Sequence, residues 1–132
     1  MRHAFSIYAV ECLAVSAGAT LLLAGTGLLG LGFAAIAGLN VGTFLLFGLD
    51  KAIAAYGPPR GATDGRRVPE SLLLTFAALG AAPGAWLAML VFRHKTRKVR
   101  FQAGIPILLL LEIGVGWLAF VAWPEIVPFL SR

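Results

Sequence analysis

The sequence predicts an all-α, polytopic membrane protein with four hydrophobic helical segments, the third kinked or re-entrant at Gly80–Gly84. Three observations lead there. Hydrophobic residues are 59% of the 132, and charged residues only 13%, about half the share of an average soluble domain. A water-soluble chain this short leaves much of its surface wet and cannot hide that apolar majority. The same hydrophobicity excludes intrinsic disorder. Second, no charge occurs from Cys12 to Leu49. Third, glycine and proline clusters cut the apolar sequence into pieces of membrane-spanning length. The chain reads as a single integral membrane domain over 1–132.

Cys12 to Leu49 is too long for one span. As a single helix its 38 residues would measure about 57 Å, nearly twice the hydrocarbon core. Clustered glycine from Gly25 to Gly32 marks the break. Helix 1 is then expected at about Phe5–Leu23 and helix 2 at about Ala34–Ala55. Met1-Arg2-His3 and Ala17-Gly18-Ala19 have the look of a signal peptide, but Glu11 interrupts the apolar region and apolar sequence continues far beyond. A retained first helix is therefore expected. Gly57-Pro58-Pro59 stops helix 2, and Gly61 to Gly65 is turn chemistry. Pro69 suits a helix start, and Glu70 favours the positive end of that helix. Ser71–Phe92 is charge-free, and the basic octet Arg93–Arg100 follows. The last segment runs from about Ile105 to Trp123 and contains Glu112. Its Trp117, Phe120 and Trp123 read as an interfacial aromatic girdle.

Basic residues test the topology. If all four segments cross, six Lys/Arg lie on one side and five on the other, and the positive-inside bias nearly vanishes. A kinked spanning third helix is still the simpler reading, since membrane helices accept proline. The alternative is reversal at Gly80-Ala81-Ala82-Pro83-Gly84. Ser71–Leu79 and Ala85–Phe92 then become half-helices of about 12–14 Å each. Both flanks share one side, and the count becomes ten against one, with Arg132 alone opposite.

The chemistry-bearing residues are few. Cys12 stands alone, so no intrachain disulfide forms, and it reads as a small buried hydrophobe. Two widely spaced histidines give no zinc pattern. Phosphate-loop, GxSxG and HExxH motifs are absent from the sequence, and no cofactor is expected. On helix 2, Asn40 and Lys51 share a face with Phe44 and Phe47. Asn40 is read first as a hydrogen bond across a helix interface and second as a ligand contact. Gly38 and Gly42 form a GxxxG pair that permits close helix approach, including by a second copy. Asp50-Lys51 is an interfacial pair that also offers a carboxylate base. The basic octet is most simply a membrane anchor. As a ligand site, its Arg and Lys would bind phosphate and His94 would move a proton. Nucleic acid is disfavoured, because no aromatic residues interleave with the charges. Glu112, deep in the last segment, is a functional candidate by default.

Asn40, Phe44, Gly48-Leu49-Asp50-Lys51-Ala52, Arg67-Val68-Pro69-Glu70, Leu73, Gly80, Gly84-Ala85, and Phe92-Arg93-His94-Lys95-Thr96-Arg97-Lys98 with Phe101 together resemble an uncharacterised bacterial membrane family, domain of unknown function 1294. The resemblance covers 62 of 132 residues. It implies a small helical inner-membrane protein with no assigned activity. The family often carries two glycines where this chain has Gly80-Ala81. Some relatives carry a fused cold-shock domain, and no such domain is expected within these 132 residues. The resemblance also implies a working set of Asp50, Lys51, Arg67, Glu70, His94, Lys95, Thr96 and Lys98.

The leading expectation is therefore a module that binds an anionic, phosphate-bearing ligand at the cytoplasmic face, with anionic membrane lipids as partners. Asn40, Lys51, Arg67, His94, Lys95, Thr96 and Lys98 would contact it, while Asp50 and Glu70 fix the cations. The alternatives are an enzyme on a lipid-linked substrate, with His94, Asp50 and Glu70 as catalytic candidates, and a small transporter using Asn40 and Glu112. A single site from this set requires the re-entrant third segment.

Overall fold

The computed structural model describes residues 2–28, 30–56 and 67–130, with side chains described for 5–28, 30–56 and 67–122. The expected turn at Gly57–Gly65, the side chains of Arg2, His3 and Trp123, and Arg60, Arg66 and Arg132 lie outside them. All regular structure among the described residues is helical: α1 (Arg2–Gly25), α2 (Leu31–Tyr56), α3 (Glu70–Phe76), a π-type turn (Ala77–Ala81), α4 (Ala82–Phe92) and α5 (Val99–Leu130).

Four stretches are long and apolar enough to cross a membrane: Phe5–Gly25, Leu31–Tyr56, Glu70–Phe92 and Val99–Ala122. Their large side chains mostly point outward. Leu22 and Phe33 are 76% and 74% exposed, and Leu110, Leu118 and Phe120 resemble them. Apolar surface turned outward on α1, α2, α4 and α5 is the signature of a chain solvated by lipid. The molecule is a multi-pass membrane protein.

α1 and α2 pair antiparallel through small residues. Gly38 lies against Ser16 and Thr20, and Gly42 against Cys12 and Ser16, so close that a Cβ at either glycine would collide. The hydroxyls of Ser16 and Thr20 donate to the carbonyls of Cys12 and Ser16 at 2.7 Å, which keeps them satisfied in an apolar contact. The expected close approach is made, but its partner is α1 of the same chain. Cys12 is buried there, as its apolar surroundings suggested.

The third segment does not cross. A straight helix from Glu70 to Phe92 would be about 34 Å long. Yet the Val68 N–H donates to Asp50 Oδ1 at 3.2 Å, and His94 Nε2 lies 2.8 Å from Asp50 Oδ2. Groups flanking the two ends of the segment thus meet on one carboxylate, and the chain must reverse between them. Reversal occurs at Gly80, whose φ of 111° lies in the region glycine favours, followed by Ala81 at φ −112°. Pro83 then sits in the first turn of α4, where its missing N–H is harmless. The simpler sequence reading, a kinked span, gives way to the re-entrant hairpin. Local pattern does not separate the two, and the contacts to Asp50 do.

Backbone turning inside a membrane needs internal partners. Asn40 supplies two. Its Nδ2 donates to the Gly80 carbonyl at 2.9 Å and its Oδ1 accepts the Gly84 N–H at 2.6 Å. Glu112 Oε1, from α5, accepts the Ala82 N–H at 3.3 Å. Gly84 is required at this point, because a Cβ would strike the Asn40 backbone. Asn40–Gly84 and Asp50–His94 are both offset by 44 residues, so α2 and α4 run parallel.

α5 starts six residues earlier than expected and ends seven later, passing through Pro106, Pro124 and Pro128. Phe101 and Ile105 are wholly buried against Phe47, Leu73 and neighbouring residues, and that burial holds the first turns in register. Trp117 and Phe120 are exposed with ring centroids 6.3 Å apart, as a girdle requires and a packed core does not.

Candidate functional site

The polar centre is Asp50, near the end of α2. Its carboxylate is 0% exposed, enclosed by the start of α3, the end of α4 and the turn before α5. It accepts the Val68 N–H on Oδ1, while Oδ2 meets His94 Nε2 and Lys95 Nζ, each at 2.8 Å. Lys95 is the buried counter-ion, with its side chain 3% exposed and Nζ 4.9 Å from the centroid of the Phe101 ring. A cation over an aromatic face in a dry setting adds about 1–2 kcal/mol. Burial pulls the Lys95 ammonium below its ordinary range, and the hydrogen bond and charge of Asp50 oppose that shift. The His94 side chain is 11% exposed and forms the outer edge of the cluster.

Backbone conformation aims these side chains. Arg93 caps α4 in the left-handed region at φ 46°, and Lys95 follows at φ 60°. Both are uncommon for non-glycine residues and cost on the order of 1–2 kcal/mol each. The pair of left-handed residues coils 93–98 into a tight turn, closed by the Lys98 N–H on the Lys95 carbonyl at 3.0 Å. Outside this turn Lys98 pairs with Glu70, a second link between the hairpin's flanks. That pair is half in solvent and contributes under about 1 kcal/mol.

The structure therefore brings Asp50, His94 and Lys95 into one buried cluster and Glu70 with Lys98 beside it. Lys51, Arg67 and Thr96 are exposed at the same end of the bundle and have no hydrogen-bond or ion-pair partner among the described residues. Asn40 lies about 15 Å deeper along α2, at the hairpin apex. Sequence reasoning gave Glu112 no partner, and it foresaw neither the Val68 N–H on Asp50 nor the contact of Lys95 with the Phe101 ring. Among the described residues no three His, Cys, Asp or Glu side chains come together as a metal site would need.

Residues 40–101, from the apex clamp to the ring beneath Lys95, match the family described as "Protein of unknown function (DUF1294)". The uncharacterized protein YsdA of Bacillus subtilis (strain 168) is 44% identical over 46 residues, which covers 35% of this chain and 52% of the relative. The chain thus matches about half the length of that curated relative. No solved structure matches. The matched segment holds both attachments of the hairpin, Asn40 and Asp50, together with the groups they bind. It leaves out α1 and Glu112, so the Glu112 contact lies outside the family's matched region.

Proposed function

We propose that this protein is a membrane module that binds an anionic, phosphate-bearing ligand at its cytoplasmic face, namely the head group of a membrane lipid. The observation that carries this reading is the closure of the hairpin on Asp50. It places Lys51, Arg67, Arg93, Arg97, Lys98 and Arg100 at one end of the bundle. Among these, Arg93 and Arg97 are exposed and without an ion-pair partner among the described residues. Asp50 already neutralises Lys95, so the exposed ring of cations does the binding and the buried cluster fixes its frame. Positive charge gathered at one face also agrees with a cytoplasmic orientation and an inner-membrane location.

Nanodiscs with equal parts phosphatidylglycerol and phosphatidylcholine test this by native mass spectrometry of retained lipid. Phosphatidylglycerol should dominate, and Arg93→Gln with Arg97→Gln should cut that preference several-fold, since each surface cation contributes about 1 kcal/mol. Unchanged selectivity would reject the proposal. Added inorganic phosphate separates the two sources of the anion: competition at millimolar levels would point to a free phosphate instead.

A second reading has its own observation. His94 is held 2.8 Å from a buried carboxylate, the orienting contact a general acid or base needs. An enzyme on a lipid-linked substrate would use it, and a pH–rate profile unchanged by His94→Ala would remove that reading.

A further inference from the structure

α2 and α4 enclose a groove of about 440 Å³, lined by Asn40, Val41, Phe44, Leu45, Pro83, Gly84 and Leu87. It exists because Gly84 and Pro83 leave the apex almost without side chains, whereas Val41, Leu45 and Leu87 form walls that stand about half exposed. No residue of α1 or α5 lines it. The lone polar wall residue, Asn40, has its amide and its carbonyl oxygen committed to Gly80 and Gly84, so the groove offers water little to bind.

We infer that this groove holds one acyl chain of an anionic lipid whose head group rests on Lys51. This rests on the lipid-binding reading above and supplies it with a place for the chain. Two arguments fix the occupant. The groove opens sideways from two membrane-embedded helices, and an apolar slot in hydrocarbon surroundings fills with hydrocarbon. Helical spacing also carries the groove's α2 wall from Phe44 through Gly48 to Lys51, about one and two-thirds turns above Leu45. At Gly48 the ring of Phe92 packs on α2, 5.0 Å from the Phe44 ring, so a chain bound for Lys51 crosses the outer edge of that half-buried ring. Lys51 is exposed and has no counter-ion among the described residues. A chain lying along this wall brings a head group to that cation, and a negative head group is the one it favours.

Native mass spectrometry of protein extracted from the same mixed nanodiscs provides the test. The wild-type chain should keep one phosphatidylglycerol through mild detergent washing. Val41→Trp and Leu87→Trp, which fill the groove from opposite walls, should each lower retention about tenfold, the equivalent of roughly two lost buried methylenes. Both positions face outward, so the fold should tolerate them. Leu110→Trp, exposed on α5 away from the groove, should leave retention unchanged. Lys51→Gln should keep a lipid but lose the preference for phosphatidylglycerol over phosphatidylcholine. If the groove variants retain lipid like wild type while Arg93→Gln with Arg97→Gln loses selectivity, the groove assignment fails and the head-group reading stands. If none of these changes lowers retention or selectivity, both fail. Equal loss in Leu110→Trp would identify the lipid as bulk annulus and also overturn the inference.

Discussion

Asp50 is bonded to groups on Val68, His94 and Lys95, so one carboxylate gathers three points of the chain. Such a cluster costs desolvation, and its charges are tolerated because each is bonded. Removing one partner is therefore worse than removing both. Asp50→Ala is expected to lose about 3–5 kcal/mol, because Lys95 is left charged in a dry site. Adding Lys95→Met should recover at least half of that loss. Denaturant unfolding in detergent, arranged as a double-mutant cycle, measures the coupling. Additive losses would mean that the two side chains act independently. Gly80 is read at the same scale. Its φ of 111° needs glycine, while Ala81 beside it sits at −112°, which any residue adopts. A glycine at position 81 is therefore not required by this turn.

At the scale of elements, the hairpin depends on backbone proximity more than on side-chain bulk. Gly84→Val should push α4 off α2, because its Cβ meets the Asn40 backbone, and should cost about 2–3 kcal/mol. Gly80→Ala meets open space and carries only the conformational penalty, about 1–2 kcal/mol. Thermal unfolding of the two variants should keep that order, and a reversal would shift the constraint from packing to torsion. Much of this was legible in the sequence. Four segments, the close-approach glycine pair on helix 2, the break at Pro83 and the helix start at Pro69 follow from composition and local rules. What was not legible depended on distant partners. A proline-broken apolar run reads the same whether it bends or reverses, and Asp50, bonded to groups beyond both ends of the run, decides between them. Lys95 reads as one anchor residue among many until a left-handed φ turns it inward. Glu112 reads as a pathway group until the Ala82 N–H is seen above it.

For the whole molecule, α1, α2 and α5 each run the length of a membrane, while α3 and α4 reach about half its depth, with both flanks on the side where Asp50 lies. Arg67 and Arg97 should then be accessible from one side and Thr26 from the other. Single cysteines at these positions, in a Cys12→Ala background, should label accordingly with a membrane-impermeant maleimide in oriented vesicles. Opposite labelling of 67 and 97 would contradict the hairpin. The parallel run of α2 and α4 also acts as a ruler. Asn40 to Asp50 and Gly84 to His94 are equal intervals, fastened at both ends. One residue added to either arm would turn everything beyond it by about 100° and unfasten one end, so length can change there only in matched pairs. The stretch between Lys51 and Arg67 carries no such constraint from the described contacts. Among relatives and designed variants, insertions should collect in that stretch and stay out of the two arms.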